Sequence, residues 1–150
     1  MKQVKIVLVA FILGIVMIFG VVGCNTVKGT FYTLQEAYDN GWLTQENLQT
    51  IANYHHDNSI SYPESLSDNI AKSIKRSWAK KLKDDNPETD ITEEKVNIVN
   101  YYGTYNECVA VIVDRSDVDY PAVYAPVTIE IGGVSFTYNL YHPQIVIFKF

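Results

Sequence analysis

The feature that most constrains the fold of this chain is a run of seventeen apolar and glycine residues near the N-terminus, from Ile6 to Val22. Lys2 and Lys5 precede it, and a positive segment followed by a short apolar run is the order of a secretory signal. As a helix the run reaches only ~25 Å, less than the ~30 Å of a bilayer's hydrocarbon core. An uncleaved signal anchor remains the alternative, because bilayers tolerate some mismatch. In both cases the lysines predict that the rest of the chain lies outside the cytoplasm.

The apolar run ends in Val21-Val22-Gly23-Cys24, which resembles the lipobox of bacterial lipoproteins. The resemblance implies that residues 1–23 are a signal peptide that is removed and that the Cys24 thiol carries a lipid such as palmitate. Two or three acyl chains, at ~0.8 kcal/mol per buried CH₂, make a stable anchor in membrane lipid. We therefore expect a lipid-anchored protein on the extracytoplasmic face of the cell membrane, with residues 24–30 as a polar tether.

Charge and length narrow the class of the remaining part. The signal segment holds two of the twelve Lys and Arg residues and none of the seventeen acids, so the mature chain has ten positive and seventeen negative side chains, net −7. That balance argues against general nucleic-acid binding, which needs a basic face. Residues 31–150 suit a single domain with one core. Lipidation of Cys24 leaves Cys108 without a disulfide partner, and its apolar neighbours predict a buried core residue.

The first half of the mature chain has helical patterns. Thr33 and Glu36 form a predicted capping box at the start of a first helix, and Asn40-Gly41 is expected to end it. Thr44 is the predicted N-cap of a second helix that ends near His55. A longer helix is expected over residues 63–83, where an apolar residue recurs every fourth position.

Two stretches of this domain resemble small lipoproteins of Gram-positive gut bacteria that have no assigned activity. The first is Leu34-x-Glu36-Ala37-Tyr38-x-x-Gly41-x-Leu43-Thr44-x-Glu46-x-Leu48, and the second is Tyr102-Gly103-Thr104-Tyr105-Asn106. The resemblance supports a compartment and implies no particular function.

The long predicted helix carries six of the ten mature cations. A basic amphipathic helix can lie against anionic lipid, which makes part of it a candidate membrane-facing surface. The alternative is a core helix with a solvated face, its last lysines favoured by the helix dipole. The candidate residues are Lys72, Arg76, Lys80 and Lys83.

The second half changes to an extended pattern. Strands are expected at residues 96–101, 105–114, 123–131, 134–138 and 145–150, with Gly132-Gly133 as a two-residue hairpin turn. We therefore predict an α+β fold: an N-terminal helical hairpin and one longer helix, packed on one face of a C-terminal antiparallel β-meander of four to five strands.

The sequence gives few signs of catalysis. His55-His56-Asp57 is the only His cluster, but neighbouring helical residues point ~100° apart and do not converge on one metal. The acids of residues 114–119 indicate a solvated turn, with a cation site as the alternative, although the loop lacks EF-hand features. We expect no cofactor and no metal. The sequence contains neither a Gly-x-Ser-x-Gly nucleophile motif nor a phosphate-binding glycine loop, so nothing in it favours an enzyme.

Tyrosine is the unusual component, with eleven in the chain. Tyrosines combine apolar area with a hydroxyl and suit the binding of a protein or the stacking of sugars, whereas packing within the sheet is the alternative explanation. The candidate binding surface is Tyr101, Tyr105, Tyr120 and Tyr124. The sequence predicts a non-catalytic domain that binds an unknown protein or envelope component; the alternatives are a small envelope hydrolase and a structural accessory of a membrane complex.

Overall fold

The structure is a computed structural model that describes residues 27–150. The predicted signal peptide, the lipobox with Cys24 and the first part of the predicted tether lie outside the described residues. Within them the α+β class is confirmed, because helices and antiparallel strands make up the domain. The α-helices are α1 (Leu34–Asp39), α2 (Gln45–His56) and α3 (Asp68–Asp85). The strands are β1 (Thr30–Thr33), β2 (Val96–Tyr105), β3 (Cys108–Arg115), β4 (Pro126–Ile131), β5 (Val134–Asn139) and β6 (Ile145–Lys149).

The first two helices begin at side-chain caps. The Thr33 hydroxyl accepts from the backbone N–H of Glu36, whose carboxylate accepts from the N–H of Thr33. Thr44 and Asn47 make the same exchange at the start of α2. Each pair satisfies two backbone donors that have no partner inside the helix.

The predicted start of the long helix, residue 63, was wrong. The helix α3 begins at Asp68, where the Ser67 hydroxyl accepts from the N–H of Ile70. A proline is compatible with a first helical turn but does not impose one, whereas the serine cap satisfies a backbone donor directly.

The prediction of one meander was also wrong. The main sheet has four antiparallel strands in the order β1-β6-β3-β2, and β4 and β5 form a separate two-stranded sheet. The β3 strand pairs with β2 on one side and with β6 on the other, so it has no free edge for β4. The β1 strand, which we had not predicted, pairs with β6 and begins at Thr30, inside the predicted tether.

Both faces of the main sheet are covered, contrary to the expectation of helices on one face. Cys108 and Ala110 of β3 face a core shared with α1, α2 and the β4–β5 sheet. Val109 and Val111 point the other way, into a core shared with α3. The four are fully buried, and two apolar clusters replace the predicted single core.

Candidate functional site

Two neighbouring loops are held together by the side chain of Asn139, at the open end of the β4–β5 sheet. The Asn139 Oδ1 accepts from the N–H groups of Ala125 and Tyr141, each at 3.2 Å, and its Nδ2 donates to the carbonyl of Val123 at 3.0 Å. The N–H of Leu140 also donates to the carbonyl of Ala125 at 2.8 Å. Four hydrogen bonds therefore fix the course of both loops.

These loops present large apolar side chains to solvent. We call the four residues the loop patch; their exposed fractions are 60% for Val123, 71% for Tyr124, 62% for Leu140 and 43% for Tyr141. Single exposed apolar residues are ordinary, but a group of large ones on a fixed backbone marks an interaction surface. The loop patch is the best candidate for a functional site in the described part of the chain.

The loop patch and the start of the described chain lie toward opposite ends of the main sheet. Strand β6 begins just after the second loop and pairs with β1 in antiparallel register, Val146 facing Thr33 and Lys149 facing Thr30. The length of β6, ~15 Å at ~3.3 Å per residue, therefore separates the two.

Tyr120, a predicted binding residue, lies at the start of the loop that carries Val123 and Tyr124 and packs against neighbouring residues. Its hydroxyl accepts from the N–H of Arg115 at 3.2 Å, and its ring lies edge-to-face with His142, 6.0 Å between centroids. The His142 Nε2 lies 3.3 Å from the carbonyl oxygen of Pro121. Tyr120 is half-buried, so its role here is to shape the loop.

Tyr101 and Tyr105, the other predicted pair on β2, lie elsewhere. Both are half-buried and pack against the ring of Tyr62, with centroids at 5.3 and 6.3 Å. The Tyr105 hydroxyl donates to the Tyr102 carbonyl at 2.7 Å, and burial raises the pKa of Tyr105. Tyr105 pairs with the first residue of β3, whereas Tyr120 contacts its last, Arg115. The four predicted tyrosines therefore form two separate groups.

Sequence reasoning missed Val123, Leu140 and Tyr141 as site residues. The prediction assigned Val123 to the strand 123–131, but β4 begins only at Pro126. The available signal was the position of these residues: bulky apolar side chains within three residues of Pro126 and Pro143, in segments that do not fit a strand.

The histidine pair at the end of α2 hydrogen-bonds to the backbone of β5. The His55 Nε2 lies 2.9 Å from the carbonyl oxygen of Thr137, and its Nδ1 lies 3.2 Å from the Tyr102 hydroxyl. The N–H of Thr137 donates to the His56 Nε2 at 3.1 Å. Within residues 27–150 no group of three or more His, Cys, Asp and Glu side chains is placed to hold a metal ion.

Cys108 and the acidic loop of residues 114–119, which were also considered for chemistry, are held by packing and by ion pairing. Burial raises the pKa of the Cys108 thiol, which lowers its fraction of reactive thiolate. In the acidic loop, the Arg115 guanidinium donates to both carboxylate oxygens of Asp117, at 3.0 and 2.9 Å, and these hydrogen bonds lower the pKa of Asp117.

The predicted membrane-facing residues of α3 are all exposed: Lys72, Arg76, Lys80 and Lys83. Two of them contact acids. The Arg76 Nε lies 3.2 Å from Glu93, and the Lys80 Nζ lies 2.7 Å from Asp84. Among residues 27–150, no helix combines the length and the apolar content needed to cross a bilayer.

In comparisons with known proteins, the chain matches no family model, no curated protein and no solved structure at a significant level.

Proposed function

We propose that this protein is a bacterial lipoprotein, held on the outer face of the cell membrane through acylated Cys24, whose domain binds another protein without catalysing a reaction. The observation that carries the binding role is the loop patch. Its four exposed side chains lie on loops that Asn139 holds in place, so a partner would find the surface already formed. Preformed loops reduce the entropy that binding costs.

The chemistry of the loop patch favours a protein as its ligand. Tyr124 and Tyr141 are of the type that dominates binding energy at protein interfaces. Val123 and Leu140 beside them are 60% and 62% exposed, so covering the exposed part with an apolar partner surface gains roughly 1–2 kcal/mol each. A sugar offers hydroxyl groups to such aliphatic side chains and covers them poorly. The loop patch also lies toward the opposite end of the main sheet from the start of β1, which leaves room for a partner beyond the proposed anchor.

Crosslinking from native membranes tests the binding role. A photoreactive amino acid at Tyr124 should trap one dominant protein, and the same group at exposed Gln49 on α2 should not. The double substitution Tyr124→Ser with Leu140→Ser should reduce recovery of that protein, by co-purification, at least tenfold. A matched control, Ile60→Ser with Val99→Ser, removes two other exposed apolar side chains and should leave recovery unchanged. Equal losses in both double variants would contradict the proposal.

Labelling with a palmitate analogue tests the anchor. The wild-type chain should take up the label and stay with the membrane fraction, and Cys24→Ser should lose the label. Cys108 is the second cysteine of the chain and is fully buried, so Cys108→Ser provides the control that keeps the label. Label retained in Cys24→Ser would overturn the anchor and leave the loop-patch proposal intact.

A further inference from the structure

The described chain begins tightly bound to α3. The backbone N–H of Val27 donates to the Oγ of Ser73 at 2.8 Å, and Ser73 is almost completely buried. Only residues 25 and 26 separate Val27 from Cys24, and three Cα-to-Cα steps span at most ~11 Å. If Cys24 carries the lipid of the proposed anchor, Val27 stays within ~11 Å of the acylated residue, and the part of α3 that it contacts is only a side chain further away.

A cleft of about 370 Å³ lies at this point, between residues 27–29 and α3. We call it the anchor-proximal cleft. Its charged lining residues among those described are Lys28, Arg76 and Lys80, and the hydroxyl-bearing side chains of Ser73 and Ser77 complete its polar part. A second cleft of about 380 Å³ shares Gly29, Ser77 and Lys80 with it, and its lining also includes Phe31, Lys81, Asp84 and Asp85.

Three cations without a carboxylate in the lining suit a phosphate group. Arg binds two phosphate oxygens at once through its planar guanidinium, and Lys adds a compact positive charge. Arg76 and Lys80 each contact an acid that is not part of the lining of this cleft. The Arg76 Nε lies 3.2 Å from Glu93, and the Lys80 Nζ lies 2.7 Å from Asp84. These ion pairs are solvent-exposed, and such pairs contribute only ~0–1 kcal/mol, so a phosphate can replace them.

The charge of the whole molecule makes the orientation matter. A mature part of net charge −7 is repelled by an anionic membrane surface unless a basic face is turned toward it. Each Lys or Arg close to such a surface gains ~1 kcal/mol. The anchor-proximal cleft offers three, next to the point where the chain leaves the domain.

We propose that the anchor-proximal cleft binds the phosphodiester headgroup of an anionic phospholipid in the leaflet that holds Cys24. This inference depends on the proposed lipid anchor. The bound headgroup would hold the domain upright on the membrane, with the loop patch turned away from the lipid.

Photocrosslinking of the acylated full-length protein in vesicles tests this site. The probes are phosphatidylglycerol and phosphatidylcholine that carry a diazirine near the top of one acyl chain, each in a phosphatidylcholine background. We expect crosslinks within residues 27–31 and 73–81, at least threefold more from phosphatidylglycerol. Neutralising the cleft with Lys28→Gln, Arg76→Gln and Lys80→Gln should abolish the difference between the two probes.

The matched control neutralises three other cations of α3 by Lys72→Gln, Lys75→Gln and Lys83→Gln. It changes the net charge equally but leaves the anchor-proximal cleft intact, so the threefold preference should persist. Equal crosslinking by the two lipids, or equal loss in both triple variants, would overturn the headgroup site. If micromolar inorganic phosphate abolished the preference for phosphatidylglycerol, the cleft would be a site for free phosphate and the headgroup proposal would be overturned.

Mass spectrometry of the reconstituted protein separates the two proposals. Absence of an acyl group on Cys24 would refute the anchor itself. An acylated protein without preferential crosslinks would refute only the headgroup site.

Discussion

Gly103 and Gly41 show at the residue scale how the same backbone freedom can serve different ends. Both have positive φ, +117° and +77°, a region that other residues adopt only with strain. A Cβ at Gly103 would lie 2.6 Å from the Tyr62 ring and 2.6 Å from the Tyr105 hydroxyl, whereas a Cβ at Gly41 would have no atom within 4 Å. Gly103 therefore allows the tyrosine rings to meet over β2, and Gly41 only turns the chain after α1.

The two glycines give a matched prediction for stability. Gly103→Ala should lower the free energy of unfolding by at least ~2 kcal/mol, because backbone strain and a steric clash add. Gly41→Ala should cost only ~1 kcal/mol, from backbone strain alone. Urea unfolding of both variants measures the difference, and equal costs would show that the rings move aside freely.

At the scale of the element, β5 depends on the end of α2. One side of β5 pairs with β4, and at Thr137 the two histidine rings bond both backbone groups in place of a neighbouring strand. Because a carbonyl can only accept, the His55 Nε2 must carry its proton, and Nδ1 is then free to accept from Tyr102 in the neutral ring. The His56 Nε2 accepts the N–H of Thr137, so both rings contribute to this contact with β5.

This arrangement predicts that acid weakens the fold as the pH falls below the ordinary histidine pKa of 6.5. Burial lowers the pKa of His55 below its ordinary value of 6.5, although the Thr137 bond opposes this. The unfolded chain then binds the proton more readily, so the stabilising contribution is complete above 6.5 and is lost as the pH falls toward the lowered value. Unfolding of His55→Gln should depend less on pH over this range than that of the wild type.

His142→Gln is the control for this prediction. The His142 ring is exposed in a loop and contacts the Pro121 carbonyl, so its replacement should leave the pH dependence of unfolding as in the wild type. If His55→Gln and the wild type lost stability in parallel as the pH falls, the coupling between α2 and β5 through this ring would be refuted.

At the scale of the whole molecule, residues 27–33 pack as part of the domain, although residues 27–30 belong to the predicted tether. The Phe31 ring meets Trp78 of α3 edge-to-face at 4.8 Å and lies 5.1 Å from Phe148 of β6. Strand β1 also covers one edge of β6 through four residue pairs. Together these contacts join the first residues after Val27 to both α3 and the main sheet.

Deletion of residues 27–33 should therefore prevent the domain from folding, because it exposes the edge of β6 and removes an aromatic contact from the core. Deletion of Asn25 and Thr26 should leave a folded domain. Resistance of membrane-bound protein to limited proteolysis distinguishes the two, and a protease-resistant domain after the larger deletion would contradict this view of the N-terminal segment.

Much of the local structure follows directly from residue patterns. Thr33 with Glu36, Thr44, and Gly132-Gly133 predict helix starts and a hairpin that the structure contains. The continuous apolar run from Cys108 to Val113 is the pattern of a strand that is buried on both faces. We nevertheless predicted that helices cover only one face of the sheet, and the structure shows both faces covered.

What the sequence determined by itself is what neighbouring residues decide: the helix caps at Thr33 and Thr44, the hairpin turn and the α+β class. Only the tertiary structure decided which strands pair, since β1 meets β6 across more than a hundred residues and no local pattern encodes that choice. The same holds for the candidate sites. Asn139 joins two loops, and Lys28 meets Arg76 and Lys80 in one cleft, because long-range packing brings together residues that are distant in the chain.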